Sequence, residues 1–105
     1  MTVLLQIDFK MPAEMLGENL SQMAVPLAQS ITEEEGFISK IWTENEQAGE
    51  AGGIYLFADK ASAERYATMH SKRVAEMGAQ DIRCKLFDIN LPLTTITRGN
   101  LNPAG

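Results

Sequence analysis

Four stretches of the chain alternate apolar and polar residues with a period of two, and each predicts a β-strand. The first covers residues 2–9, with apolar side chains at every second position. Two more flank a polar, glycine-containing connection and predict a hairpin within residues 36–59, which also hold the only tryptophan. The fourth covers residues 81–90. The pattern therefore predicts a sheet of four strands.

Two segments between these strands have helical spacing. In the first, Pro26 interrupts an apolar stripe; because proline lacks the N–H that a helix interior needs, it predicts a kink near Ala24 or two shorter helices. The second begins after Asp59, a candidate N-cap, and ends at Gly78, a candidate left-handed residue. The first stripe consists of Leu16, Leu20, Met23, Leu27 and Ile31, and the second of Ala63, Tyr66 or Ala67, His70, Val74 and Met77.

The order strand, helix, hairpin, helix, strand predicts an α+β, ferredoxin-like βαββαβ fold, with an antiparallel sheet and both helices on one face. Phe37, Ser39 and Ile41 are predicted to share one face of the hairpin, and Lys40 and Trp42 the other. Neither face is wholly polar, so we expect the uncovered face to meet a cavity or a second subunit. Two such sheets face to face, as in a homodimer, would bury these faces and enclose a cavity. We expect one domain over residues 1–92 and a C-terminal tail, 93–105, that frays or crosses the dimer.

Charge and composition narrow the function classes. The net charge is −5, from 9 basic and 14 acidic residues, and the absence of a basic stripe argues against nucleic acid as a partner. No apolar run reaches the ~18 residues of a membrane span, and the start lacks a signal peptide's basic region, so we expect no membrane association and a cytoplasmic location. The single Cys84 excludes an internal disulfide framework and is expected to be buried.

Motifs for metals and cofactors are missing from the sequence. One histidine and one cysteine without clustered carboxylates predict no metal site, and no glycine-rich loop opens a helix, so we expect no cofactor. The connection over residues 46–52 is too long for a tight turn.

His70 is a candidate proton acceptor because its ordinary pKa lies near neutrality. The alternative is a half-buried histidine that is hydrogen-bonded to the backbone.

Aromatic and cationic residues of the hairpin suggest a pocket wall. Trp42 and Tyr55 lie on facing arms, where they could hold a flat ligand or pack at a subunit interface. Lys40 shares the Trp42 face and Arg83 lies in the last strand. Each could bind an enolate or a carboxylate, or be a surface cation.

Four stretches, GFISKIWTEN, GGIYLFAD, AERYATMH and KLFDINLPLT, together resemble the YdhR family of monooxygenases over nearly the whole chain. The resemblance implies the dimeric α/β-barrel superfamily, with a pocket between each sheet and its helices. It also implies cofactor-independent oxidation of a small aromatic or polycyclic substrate by dioxygen, similar to the enzymes that oxidise anthrones.

The resemblance implies roles for individual residues as well. His70 would be the base, Trp42 and Tyr55 would orient the substrate, and Lys40 or Arg83 would stabilise negative charge. Asn45 joins Lys40 and Arg83 as a substrate-binding candidate, although it follows the tryptophan instead of preceding it. The alternatives are a non-catalytic small-molecule-binding protein of the same fold, and a haem-degrading enzyme with His70 as axial ligand.

Overall fold

A computed structural model describes residues 1–99 of the chain. Four strands pair antiparallel in the order β2-β3-β1-β4, which places β2 at one edge of the sheet and β3 inside it. The predicted ferredoxin-like α+β fold is confirmed. The strands are β1 (Val3–Lys10), β2 (Phe37–Asn45), β3 (Glu50–Phe57) and β4 (Gln80–Asp88).

Pro26 divides the first helical segment into two, as its missing N–H predicts. After a 3-10 turn at Ala13–Met15 come α1 (Glu18–Met23) and α2 (Val25–Ile31), with Ala24 as the break and Pro26 in the first turn of α2. At this position the missing N–H costs no helical hydrogen bond. The prediction of two shorter helices is confirmed.

The long helix α3 (Lys60–Glu76) has the predicted ends. Asp59 Oδ1 accepts a hydrogen bond from the Ser62 backbone N–H at 2.8 Å and so caps the helix. Gly78 has a φ of 103°, the left-handed conformation that ends a helix. The side of α3 that packs on the sheet is buried and consists of Ser62, Ala63, Tyr66, His70 and Val74.

Two segments differ from their predicted form. The hairpin connection is shorter than predicted, because residues 50–52 pair with β2 and leave only residues 46–49 as a turn. Gly52 is needed there, since a Cβ would collide with the carbonyl oxygen of Ile7. The first part of the predicted tail belongs to a short helix, α4 (Leu91–Ile96), which Asn90 caps by accepting from the Leu93 N–H at 3.2 Å. Residues 100–105 of the predicted tail lie outside the described part.

A bulge in β2 corrects the predicted strand faces. The register shifts between Phe37 and Ser39, so Phe37 lies opposite Phe57 and packs against it edge to face at 5.9 Å. Phe37 therefore shares the face of Lys40, not that of Ser39. Cys84 is exposed, contrary to the prediction, because β4 is an edge strand.

The sheet has two different faces. The helix-side face carries the core, and the opposite one, here called the open face, has no helix packed flat upon it within residues 1–99. No helix in this range is long and apolar enough to cross a membrane. The helix-side face includes Val3, Leu5, Ile7, Phe9, Ala51, Tyr55 and Phe57, and the open face Leu4, Gln6, Asp8, Ser39, Ile41, Ile54, Leu56, Arg83 and Phe87.

Candidate functional site

Four of the candidate residues lie together on the helix side of the sheet. Lys40 on β2 is directly opposite Tyr55 on β3, and Trp42 is opposite Gly53, so all three side chains leave the same face. His70 projects toward them from the buried side of α3, with its ring centroid 6.4 Å from that of Tyr55. The hairpin and α3 therefore bring these four side chains into one cluster.

The other two candidates lie on the open face. Asn45 is opposite Glu50, and its Oδ1 accepts from the Ala48 N–H at 3.0 Å, which stabilises the hairpin turn. Arg83 pairs with Asp8 at 2.6 Å and with Glu50 at 3.1 Å. Both side chains thus have partners of their own, and the sheet separates them from Lys40 and His70.

An aromatic stack forms the floor of the cluster. Tyr55 is 1% exposed, and its ring centroid lies 5.2 Å from that of Tyr66. Tyr66 in turn stacks on His70 at 5.0 Å with an interplanar angle of 19°. Burial raises the pKa of both tyrosines, so each keeps its hydroxyl proton at neutral pH.

Lys40 lies between two aromatic faces. Its Nζ is 3.4 Å from the Trp42 ring centroid and 4.7 Å from that of Tyr55, and it has no ion-pair partner in residues 1–99. Burial, followed by the neighbouring charge of Arg73, lowers the pKa of Lys40 to about 7. The two ring faces act in the opposite direction because they attract the ammonium form. The amine is therefore able to change its protonation state near neutral pH.

Gly53 makes room for the aliphatic part of Lys40. A Cβ at position 53 would lie 2.5 Å from Lys40 Cε and 3.0 Å from the Tyr55 ring. Any other residue would push the lysine stem away from the sheet. The glycine therefore leaves the space in which the amine lies.

His70 is held as a neutral hydrogen-bond acceptor. Arg73, one turn further along α3, donates to His70 Nδ1 from Nε at 3.3 Å and from Nη2 at 3.0 Å. Since Nδ1 accepts, we assign the ring proton to Nε2. Burial, and then the charges of Lys40 and Arg73, lower the pKa of His70 to about 3. At physiological pH the imidazole is uncharged.

A small apolar cavity adjoins the amine. It has a volume of about 40 Å³, room for a few water-sized molecules. Four of the six methionines line it, and their unbranched side chains can rearrange to admit something larger. The lining also includes Lys40 and Trp42, besides Met11, Met15, Met23 and Met77.

Trp42 lies between this cavity and an outer groove. The indole is 36% exposed and also lines a groove of about 260 Å³ along α1 and α2. Leu20 is shared by the two spaces as well. Movement of these two side chains would connect the groove with the cavity.

Three residues of the cluster were not predicted from the sequence as site residues. Tyr66 and Arg73 lie four residues before and three residues after His70, and this spacing puts all three on neighbouring turns of one helix. The spacing was therefore a usable signal. Gly53 had no such signal, because its importance depends on the path of the Lys40 side chain.

A comparison with protein families adds to this picture. The sequence model described as "Putative mono-oxygenase ydhR" matches residues 4–100. The chain belongs to this family. No curated protein matches the chain. The matched segment includes every residue of the Lys40 cluster.

The cluster combines groups suited to proton transfer and charge stabilisation. Lys40 can accept or hold a proton, Trp42 presents a flat surface, and the adjoining cavity has an almost wholly apolar lining. Within residues 1–99, no three His, Cys, Asp or Glu side chains come together as a potential metal site.

Proposed function

We propose that this chain is a cofactor-independent mono-oxygenase, which uses dioxygen to oxidise a small aromatic or polycyclic substrate between the sheet and its helices. The position of Lys40 carries the proposal. Its amine lies against two aromatic rings and beside an apolar cavity, and among the described residues no carboxylate pairs with it. Membership of a mono-oxygenase family supports the reaction type.

The proposed reaction starts with removal of a proton from an activated ring CH₂ group that is conjugated with a carbonyl group. The carbanion is stabilised as an enolate and passes an electron to dioxygen, and recombination gives a hydroperoxide. Loss of water from the hydroperoxide leaves a new C=O group. The sum is R₂CH₂ + O₂ → R₂C=O + H₂O, so the substrate supplies all the electrons.

Lys40 is the proton acceptor in this proposal. An amine with a pKa of about 7 is partly neutral at neutral pH, which suits a general base. Once protonated, its ammonium group stabilises the enolate oxygen in surroundings of low polarity. His70, the candidate from the sequence, is a weaker base because its pKa is about 3. We propose that His70 positions Arg73 instead.

The aromatic residues orient the substrate. Trp42 is exposed on one side of its ring, so it can stack on a flat ligand that enters from the outer groove. Tyr55 is almost fully buried and supports Lys40 from below. Asn45 and Arg83 are on the other side of the sheet, so we assign them no part in substrate binding.

An oxygen electrode tests the proposal. Purified protein is supplied with a panel of anthrones and hydroquinones, beside the variants Lys40→Met, His70→Ala and Trp42→Phe. We expect the wild type to consume oxygen faster than the buffer blank, and Lys40→Met to lose most of this activity. We expect Trp42→Phe mainly to raise KM. A wild-type rate equal to the blank contradicts the proposal for those substrates.

A non-catalytic binding protein is the second candidate. The cavity of about 40 Å³ favours it, because an almost wholly apolar lining can hold an apolar ligand after a rearrangement without any reaction. Binding of an anthrone without oxygen uptake would support this candidate. The haem-degrading alternative fits poorly, since an imidazole that is 2% exposed and stacked on Tyr66 has no space beside it for a macrocycle. A haem titration without a Soret shift is the expected outcome.

We also propose that the chain forms a homodimer through the open face. The apolar side chains of this face support the proposal, because Ile41 is 67% exposed and a groove of about 390 Å³ crosses the sheet between Leu4, Ile54 and Phe87. A second copy of the sheet would remove this surface from water. Light scattering at micromolar concentration is expected to give twice the chain mass, and a monomeric mass contradicts the proposal.

A further inference from the structure

We infer that Lys40 is a covalent binding site for small apolar aldehydes, which its amine captures as an imine beside the methionine-lined cavity. The amine attacks the aldehyde carbon, and both amine protons then leave with the carbonyl oxygen as water. The sum is R–NH₂ + R′CHO → R–N=CHR′ + H₂O, so no oxidant or reductant takes part. The inference goes beyond the proposed function, because this capture requires neither dioxygen nor removal of a proton from the ligand.

The first observation is that Lys40 differs from the other lysines of the chain. There are five lysines, of which four are exposed, whereas Lys40 is half-buried. Its amine has no carboxylate partner within residues 1–99. Glu44, on the same face of β2, instead accepts from the Gly17 N–H at 2.6 Å. A lysine in apolar surroundings, without a carboxylate to hold its proton, is the type that forms imines with carbonyl compounds.

The protonation state of Lys40 supports the same chemistry. Burial is the main cause that lowers the pKa of Lys40 to about 7, so much of the amine is neutral at neutral pH and has a free electron pair. The rings of Trp42 and Tyr55 act in the opposite direction, because they attract the ammonium form. A neutral imine is better suited to these surroundings than an ammonium group, since it leaves no charge to be desolvated.

The second observation is the space that adjoins the amine. Lys40 lines the cavity of about 40 Å³, and among the described residues it is the only charged one to do so. In an imine the aldehyde chain is attached directly to Nζ, so the chain can occupy this apolar space. Each CH₂ group that the lining removes from water is expected to strengthen binding by about fourfold. The cavity therefore favours capture at Lys40 over capture at an exposed amine.

The size and the lining of this space select the kind of carbonyl compound. An aldehyde carbon carries one substituent, so it needs less room between Trp42 and Gly53 than a ketone carbon, which carries two. A charged aldehyde such as glyoxylate would bring a carboxylate into apolar surroundings. Unbranched methionine side chains can move apart to admit a flexible chain. The ligand class is therefore a short, unbranched alkyl aldehyde.

Reductive trapping under nitrogen tests the inference. Sodium cyanoborohydride converts an imine into a stable secondary amine, and peptide mapping by mass spectrometry measures the label on each lysine and on the N-terminal amine. Hexanal is the probe, and acetaldehyde is its control because it has the same reactive group without a longer chain to bury. At pH 7 we expect hexanal to label Lys40 at least about tenfold more than any exposed lysine.

The N-terminal amine separates the effect of the cavity from that of a neutral amine alone. Met1 is 92% exposed, and α-amines are in general less basic than lysine amines. We expect the ratio of label on Lys40 to label on the N-terminal amine to rise at least about tenfold from acetaldehyde to hexanal. The same ratio for both aldehydes overturns the inference, and so does hexanal label spread evenly over the five lysines.

Variants locate the captured aldehyde. Lys40→Arg keeps a cation but forms no stable imine, so it should lose the label at position 40 and keep the label elsewhere. Lys72→Arg replaces an exposed lysine and is the matched control, with unchanged labelling of Lys40. Leu27→Phe narrows the cavity and should reduce labelling of Lys40 by hexanal but not by acetaldehyde. If circular dichroism shows that Leu27→Phe is unfolded, Met23→Phe at an exposed position replaces it. Undiminished hexanal labelling in the folded variant overturns the cavity as the site.

The inference and the proposed function can fail separately. Selective hexanal labelling of Lys40 without oxygen uptake on the anthrone panel leaves the inference intact and contradicts the mono-oxygenase. Oxygen uptake by a protein whose Lys40 does not react with hexanal has the opposite meaning. If both hold, trapping with hexanal and cyanoborohydride before the assay should abolish oxygen uptake, and the same treatment with hexanal omitted should not.

Discussion

Lys40 and Arg83 project from opposite faces of one sheet, and their surroundings are opposite as well. The Arg83 side chain is 59% exposed and bridges Asp8 and Glu50. Lys40 lies over the rings of Trp42 and Tyr55, beside a cavity, without a carboxylate partner in residues 1–99. A paired, hydrated cation keeps its ordinary chemistry, whereas burial of an unpaired one makes its protonation sensitive to a ligand. Charge alone therefore does not identify a functional cation, but its environment does.

The largest expected contrast between the faces is in catalysis. Lys40→Met should lower kcat for oxygen uptake by about 10²-fold or more, the range for loss of a general base. The kcat of Arg83→Met should stay within about twofold of the wild-type value, because Arg83 lies on the open face and is already paired with Asp8 and Glu50. Oxygen-electrode assays of the two variants measure this contrast, and equal losses would remove the distinction between the faces.

The pH dependence of the reaction sharpens the assignment of Lys40. Because its pKa is lowered to about 7, the active neutral amine becomes protonated below that pH. We expect kcat/KM to fall about tenfold for each pH unit below 7 and to level off above it. The measurement is oxygen uptake from pH 5.5 to 9 with a substrate that does not titrate in this range. A profile that is flat from pH 6 to 8 argues against Lys40 as the base.

Gly53 tests whether the position of the amine matters. Gly53→Ala adds a Cβ against the Lys40 stem, and we expect about a tenfold loss of kcat/KM because misplaced catalytic groups lose rate steeply. The double variant with Lys40→Met provides the control. If the glycine acts through the lysine, its substitution has little further effect in that background, and additive losses would point to a separate role.

His70 extends the comparison to stability. Its pKa is lowered to about 3 in the folded chain, against 6.5 for an ordinary histidine, so the unfolded state binds more protons between these values. Stability should therefore decrease as the pH falls from about 6.5 toward 3. Urea unfolding at pH 7.5 and 5 measures this effect. Between these two pH values, the free energy of unfolding should decrease less for His70→Asn than for the wild type. His70 is the only histidine, so its NMR signal checks directly that it does not titrate above pH 5.

The smallest expected effect belongs to the Arg83 ion pairs. Exposed ion pairs contribute little to the stability of a folded protein, so Arg83→Met should lower the free energy of unfolding by less than about 1 kcal/mol. Asp8→Asn serves as its partner in a double-mutant cycle by urea denaturation. A coupling well above that value would mean that the open face is covered in solution, as a homodimer would require.

The residue pattern by itself determined the elements and most of their limits. Period-two alternation marked the strands, Asp59 and Gly78 marked the ends of α3, and Pro26 marked the break at Ala24. These signals act over a few residues, because they depend on backbone geometry and local hydrogen bonds. The resemblance to a mono-oxygenase family also came from the sequence and is confirmed.

Only the tertiary structure decided which candidates act together. Lys40, Trp42 and Tyr55 meet His70 because α3 covers their face, and the same sheet separates them from Asn45 and Arg83. The bulge that turns Phe37 toward Phe57 depends on the register between β2 and β3, which no local residue pattern reveals. Above all, the lowered pKa of Lys40 results from burial and from the charge of Arg73 on α3. Neither cause can be predicted from the residues adjacent to position 40 in the sequence.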